Sequence, residues 1–162
     1  MRSGTDRIEE HERTDSGRSQ SRTADRKSLA VLFSLLLQEM RDNASAEEAH
    51  GFFQAIGMRL AQSCPLPDVE RIDRLAGAMN EVWRALDWGH VILEPDDDGI
   101  GIVHFDAPVK MAEDDGGLWP SALTSILEGV YDGWFRGLGS GPKLQTTLKS
   151  RTADRIEFHH GR

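Results

Sequence analysis

At 162 residues the chain is long enough for one hydrophobic core and too short for two comfortable ones. Its 38% apolar and 28% charged residues are globular proportions, with no run long enough to cross a bilayer. The net charge of −8 is uneven: residues 28–142 carry seven Lys/Arg against nineteen Asp/Glu, so this part stands near −12, repels phosphate backbones and excludes nucleic acid as a partner.

Residues 1–27 hold seven bases, six acids and only Met1, Ile8 and Ala24 as apolar side chains. Such a segment cannot offset its ordering entropy and is predicted to be a disordered polar tail. The hexapeptide Ser21–Arg26 recurs as Ser150–Arg155, but two copies so far apart make no solenoid and read as coincidence or local duplication. The core domain is expected over 28–142, and 143–162 is expected to be a β-like or mobile segment.

The first predicted helix runs from Ser28 to Arg41. Its apolar run, Leu29 to Leu37, follows Arg26 and Lys27, and Ala44-Ser45-Ala46 superficially resembles a signal-peptidase site. The preceding segment is long and mixed in charge, and Gln38, Glu39, Arg41 and Asp42 follow the run, so it reads as a core helix instead. With so few polar positions it is expected to be buried on most sides, partly by another copy of the chain. The second helix begins at Ser45, where Glu48 three residues on completes a capping box, and it ends at Pro65 and Pro67. Phe52, Phe53, Ile56, Leu60 and Ala61 form its predicted apolar face. Cys64, the only cysteine, excludes an internal disulfide and a Cys-based metal cluster; beside Met58, Leu60 and Leu66 it reads as a small core residue. The third helix, Asp68 to Asp87, has the clearest periodicity: Val69, Ile72, Leu75, Ala76, Met79, Val82, Trp83 and Leu86 recur at three- and four-residue steps.

Trp88–Glu94 and Ile100–Phe105 are β-rich runs around the acidic turn Asp96-Asp97-Asp98-Gly99 and predict a hairpin. Residues 106–117 read as an exposed loop. The last long helix, Leu118 to Gly137, carries Trp119, Ala122, Leu123, Ile126, Leu127, Val130, Tyr131 and Trp134 in one stripe, and Gly137, Gly139 and Gly141 close it. Leu144–Leu148 and Arg155–His159 are weakly β-like and could pair onto the hairpin.

Chemistry is hard to find. His104 and Asp106 could act as a base and its orienting acid, but no Ser or Cys stands in a nucleophile-elbow context. His104 is therefore expected on the less buried face of the hairpin, and His159-His160 in a solvated tail. The Asp96–Gly99 turn fails as a calcium loop, because Ile100 and Ala107 occupy positions where oxygen ligands are needed. The C-terminal glycines close a helix and open none, so they form no phosphate cradle. Trp83, Trp88, Trp119 and Trp134 read as packing residues of core or interface. No catalytic residue, cofactor or metal is assigned, and the fold class is α+β: four main helices with a small antiparallel sheet in one domain.

Taken in order, several residues do more together. Trp88-Gly89, His90, Val91 and Leu93 precede the acidic turn; Ile102-Val103-His104, Asp106 and Pro108 follow it. Then come Trp119, Leu123, Leu127-Glu128-Gly129, Tyr131, Gly133 and Trp134. From Ser28 to Phe135 this pattern resembles the D subunit of bacterial cellulose synthase. The resemblance implies a non-catalytic accessory subunit for crystalline cellulose secretion, forming an octamer from dimers. It would organise synthases or glucan chains with other synthase subunits and a Pro-rich scaffold partner. Trp88, Gly89, His104, Trp119, Leu127, Glu128, Gly129, Tyr131 and Trp134 are its motif and assembly candidates. The expected place is the cytoplasm beside the inner-membrane synthase, with the periplasm as the alternative. A small α/β ligand-binding or sensor module is the alternative function, and a hydrolase using His104 and Asp106 is a third, weaker reading.

Overall fold

The computed structural model describes residues 26–69, 71–111, 114 and 116–162; most of the expected tail lies outside them. Residues 26–43 form α1, so the helix includes Arg26 and Lys27, which the sequence assigns to the tail. Helix α2 (Ala46–Ser63) starts as its residues demand: the Ser45 hydroxyl accepts from the Glu48 N–H, and the Glu48 carboxylate accepts from the Ser45 N–H at 2.8 Å. Cys64 caps its C-terminus and is half-buried. Helix α3 (Ile72–Leu86) starts four residues later than periodicity suggests, because its N-cap, Arg71, is still extended. Helix α4 spans Trp119–Gly137, with Pro120 in its first turn.

Four strands, β1 (His90–Pro95), β2 (Gly99–Phe105), β3 (Gln145–Arg151) and β4 (Arg155–Gly161), make one antiparallel sheet in the order β1-β2-β4-β3. The C-terminal segment thus pairs onto the hairpin, with Phe158 opposite Ile102 and Leu148 opposite Phe158. This places His159 and His160 in a strand and not in a solvated tail: His160 is buried, with its ring stacked on Phe135. Gly89 enters the sheet with φ +80, and a Cβ there would lie 2.0 Å from the Phe105 carbonyl. Only glycine fits.

One face of the sheet (Val91, Ile102, His104, Ile156, Phe158, His160) packs on the helical layer, where each fully buried large apolar side chain contributes roughly 1.5–3 kcal/mol. Helix α4 lies at the centre. Fourteen of its nineteen residues are buried, too many for one stripe, so it is covered from several sides at once. Its tightest neighbour is α2. A Cβ on Gly57 would fall 2.0 Å from the Ile126 carbonyl, and one on Gly129 would fall 2.0 Å from the Gln54 carbonyl, so the two backbones nearly touch.

Helix α1 departs from expectation. It seats Leu37 and Ser34 against the core, and Phe33 meets Trp119 edge-on at 5.5 Å, while Leu29, Val31, Leu32, Leu35 and Leu36 remain exposed. In the single chain it is buried along one seam, not on most sides. Phe52 and Ile56, assigned to the apolar face of α2, are exposed beside it.

Candidate functional site

Three arrangements of side chains stand out: a buried aromatic node, a pair of closed sheet edges, and an uncovered helical flank.

The node joins Trp83 of α3, Trp88 of the α3–β1 turn, His104 of β2, and Tyr131 and Trp134 of α4. Trp83 stacks parallel to Trp88 at 6.0 Å and meets His104, Tyr131 and Trp134 within 5.0–5.8 Å. His104 is wholly buried, which corrects its expected place on the less buried face. Burial pushes its imidazole down to about 4, so the ring is neutral at ordinary pH. Its Nε2 lies 2.6 Å from the Trp88 carbonyl, which can only accept, so the ring hydrogen sits on Nε2. The free Nδ1 then accepts the Tyr131 O–H at 2.5 Å. Burial likewise holds the Tyr131 phenol well above its ordinary range. The Trp83 Nε1–H sits beside that phenol without hydrogen-bond geometry. The base-and-acid pair that His104 and Asp106 could have made does not form: Asp106 is exposed and lies 3.6 Å from His90 Nδ1. Both ring nitrogens of His104 are already engaged, so the node fixes α3, β2 and α4 against one another.

The sheet edges are closed by side chains. Along α4, Thr124, Glu128, Asp132 and Arg136 recur every four residues, a rise of about 6 Å; alternate residues of a strand recur at about 6.6–6.8 Å. The near-match lets one helical stripe zip onto the free edge of β3. Thr124 Oγ1 accepts from Arg151 Nη1 at 3.2 Å, Asp132 Oδ1 accepts from the Thr146 N–H at 3.1 Å, and Arg136 Nη2 donates to the carbonyl of Leu144, just before β3, at 3.4 Å. Glu128 is held by Gln54 at 3.1 Å and faces His50 Nε2 at 3.5 Å; burial raises its pKa. At the other edge Asn80 of α3 stands in for a strand: its amide donates to the Val91 carbonyl at 2.9 Å and its Oδ1 accepts the Val91 N–H at 2.6 Å.

The flank is the reverse. Leu29, Val31, Leu32, Leu35 and Leu36 of α1 and Phe52 and Ile56 of α2 are exposed, and between the two helices runs a groove of about 300 Å³ lined by Phe33, Leu36, Met40, Phe52, Phe53 and Ile56. Leu29 is 66% exposed and Leu32 and Leu35 are each 56% exposed, a concentration of uncovered hydrocarbon unusual for a free surface.

The motif residues fall elsewhere. Trp88, His104, Tyr131 and Trp134 belong to the node; Trp119 touches its edge through Trp88 and donates its indole N–H to the Pro108 carbonyl. Glu128 and Gly129 lie at the α2–α4 crossing and the β3 seal, Leu127 is wholly buried, and Gly89 enters β1. Sequence reasoning missed Asn80, Thr124 and Asp132; a polar stripe at four-residue spacing inside an apolar helix was the available signal.

Fold and flank define a small α+β protein with one helical side left uncovered. The chain belongs to the family of the cellulose synthase D subunit, whose profile matches residues 18–161. It is 29% identical, over 109 residues, to the cellulose synthase operon protein D of Komagataeibacter xylinus, a match covering 63% of this chain and 68% of that one. Membership gives it a role in cellulose synthesis. No helix among the described residues is long and apolar enough to cross a membrane, and among them no cluster of three or more His, Cys, Asp or Glu side chains is suited to hold a metal ion.

Proposed function

We propose that this chain is a non-catalytic accessory subunit of a bacterial cellulose synthase complex. It self-associates through the α1–α2 flank into a scaffold that organises synthases or glucan chains for crystalline cellulose secretion. The observation that carries this is the apolar flank itself. Large hydrocarbon side chains left in water on two adjacent helices gain from being covered by another surface of the same kind. The motif residues support it from within, by holding α4 rigid beneath the flank. Dimers assembling to an octamer, with other synthase subunits and a Pro-rich partner docked outside, are the form that family resemblance implies. The scaffold works on the cytoplasmic side of the inner membrane, and the periplasm is the other place it could serve.

Light scattering coupled to size exclusion tests this. Eight copies of the 18.0 kDa chain give about 144 kDa. Joint Leu32→Glu and Leu36→Glu substitution is expected to reduce the assembly to a folded monomer and, in cells, to lower the order or yield of cellulose without stopping polymerisation. A wild-type chain that stays monomeric at high concentration overturns the scaffold.

A second reading has its own observation. A cavity of about 330 Å³ between α1, α2 and α4 is walled by Leu37, Phe53 and Ala122, with His50 and Ser125 joined at 3.0 Å on its side. It suits a small, mostly apolar ligand with one polar group. A compound that survives purification and is detected by native mass spectrometry at one per chain would favour this module.

A further inference from the structure

One face of the sheet packs on the helices; the other carries a pattern of its own. Along β2 the outward positions are Gly99, Gly101, Val103 and Phe105, since Ile102 and His104 point into the core. Side-chain size thus rises from nothing to an aromatic ring over one strand. Ile92 of β1, opposite Val103, is 47% exposed, and Phe105 stacks on His90 at 5.2 Å. A depression of about 530 Å³ lies at Gly101, walled by Ile92 and Glu94 on one side and by Lys149 and Glu157 on the other. The backbone requires glycine at Gly99, where a Cβ would fall 2.1 Å from the His160 carbonyl. At Gly101 the nearest atom would be the Glu94 carbonyl at 3.2 Å, a contact that a small shift relieves. Folding alone does not account for a bare site in the middle of a strand, where a branched side chain would pack better.

We infer that this outer face is a second self-association surface, on which the sheet of another copy lies face to face, with β2 antiparallel to β2 about a two-fold axis across the strands. The taper sets the occupant. Inverting one strand over the other puts Val103 above Gly101 and Phe105 above Gly99 of the second copy, so large side chains fill bare ground across the roughly 10 Å between packed sheets. Charge agrees. The Gly99 end carries Glu94, Asp96, Asp97 and Asp98, whereas at the Phe105 end Arg151 and Arg155 offset Asp106 and Asp154. The inversion keeps the two acidic turns at opposite ends of the interface, with apolar residues in its middle and charges at its rim.

The inference rests on the scaffold reading and supplies what the flank lacks. A two-fold surface closes on itself, so the flank alone stops at a pair; a second surface on the same chain joins pairs into a larger assembly. One sheet contact is small and holds only where several act at once, so a chain without its flank still falls to a monomer.

Wild type, Val103→Glu, Gly101→Val and the exchange Gly101→Val/Val103→Gly are compared at equal concentration by light scattering, with folding followed by circular dichroism. Each of the first two variants is expected to stop at two copies of the 18.0 kDa chain, about 36 kDa, a roughly fourfold loss from the eight-copy mass. Positions 101 and 103 face each other across the two-fold axis, so the exchange rebuilds the fit in reverse and is expected to regain the wild-type mass. If Val103→Glu fails to fold, Gly101→Val and the exchange decide. A folded Val103→Glu or Gly101→Val chain that keeps the wild-type mass, or an exchange that stays at two copies, overturns the inference. The Leu32→Glu/Leu36→Glu chain separates it from the reading beneath it. An assembly that survives that change but not Val103→Glu strikes the flank alone; one that falls to monomers with that change but ignores Val103→Glu strikes the sheet surface alone. A wild-type chain that stays monomeric overturns both.

Discussion

The sheet edges and the α1–α2 flank treat exposed surface in opposite ways. At the edges, backbone groups that could bond a passing strand are matched to Asn80 on one side and to Asp132 and Arg136 on the other. At the flank, seven large apolar side chains are left uncovered. A backbone edge recognises almost any strand, whereas an apolar face is selective through shape. The two surfaces therefore differ in what each could accept as a cover. The difference can be broken from either side.

The largest effect is expected where α4 is held close enough to reach β3. Gly129→Ala places a methyl group 2.0 Å from the Gln54 carbonyl, and Gly57→Ala places one 2.0 Å from the Ile126 carbonyl. Neither obstacle is a flexible side chain, so the helices must separate. Each change is expected to cost about 3 kcal/mol, the upper range for overpacking, in urea unfolding. Gly51 lies in the same helix as Gly57 with open space around its Cβ position; Gly51→Ala is expected to be stabilising by about 0.5–1 kcal/mol. Equal effects of Gly51→Ala and Gly57→Ala would mean that close packing does not hold α4 in place.

The node should titrate while the flank does not. The folded chain holds His104 at about 4, below its ordinary 6.5, so it resists protonation more than the unfolded chain does. The stability from this group is fully present above about pH 6.5 and is lost as pH falls toward 4, a change of about 3 kcal/mol over that window. Protonation gives Nδ1 a hydrogen and deprives the Tyr131 O–H of its acceptor. His104→Gln is expected to lower stability at pH 7 and flatten this dependence, measured as urea midpoint against pH. Glu128 runs the other way: its raised pKa means the folded state prefers it neutral, so its contribution weakens as pH rises through that value. A His104→Gln profile as steep as wild type would assign the acid sensitivity elsewhere.

How much of this was legible depended on the kind of signal. The α2 start was written in Ser45 and Glu48, α3 in its apolar spacing, and the hairpin in two β-rich runs around Asp96–Gly99. The side of the sheet on which His104 sits was not: Ile100, Ile102 and His104 share one face, but Val103 and Phe105 make the opposite face equally apolar in composition. Burial of Glu128 and Asp132 was hidden because it needs β3 beside α4, a contact between segments remote in sequence. Nothing in the apolar spacing of α3 singles out Asn80, whose partner Val91 lies beyond the turn into β1. The leucines of α1 are residues that need covering, but hydrophobicity says nothing about whether the cover comes from the same chain.

A smaller effect is expected at the junction that sets the flank's two helices. Ser45 caps α2 two residues after α1 ends, and Ser45→Ala leaves the Glu48 N–H without its side-chain acceptor. The expected loss is about 1 kcal/mol in thermal or urea unfolding, with assembly intact. Loss of assembly without loss of stability would show that the cap sets the angle between α1 and α2.

The smallest effect on folding is expected at the flank, and its smallness is the test. Leu36 is 54% exposed in the single chain and lines the groove, so Leu36→Ser removes hydrocarbon that this chain does not bury. Unfolding of the monomer is expected to change by less than about 0.5 kcal/mol, as for a surface position. An assembly built through the flank would cover every such side chain at once, so the same change is expected to raise its dissociation constant by about tenfold or more per contact, the equivalent of about 1.4 kcal/mol. Leu37, one residue on but 3% exposed, supplies the control: Leu37→Ser should destabilise the monomer itself by about 2–5 kcal/mol. If Leu36→Ser destabilises the monomer as Leu37→Ser does, α1 is buried within its own chain and the flank is no interface; if Leu36→Ser leaves both folding and association unchanged, the covering surface belongs to another protein.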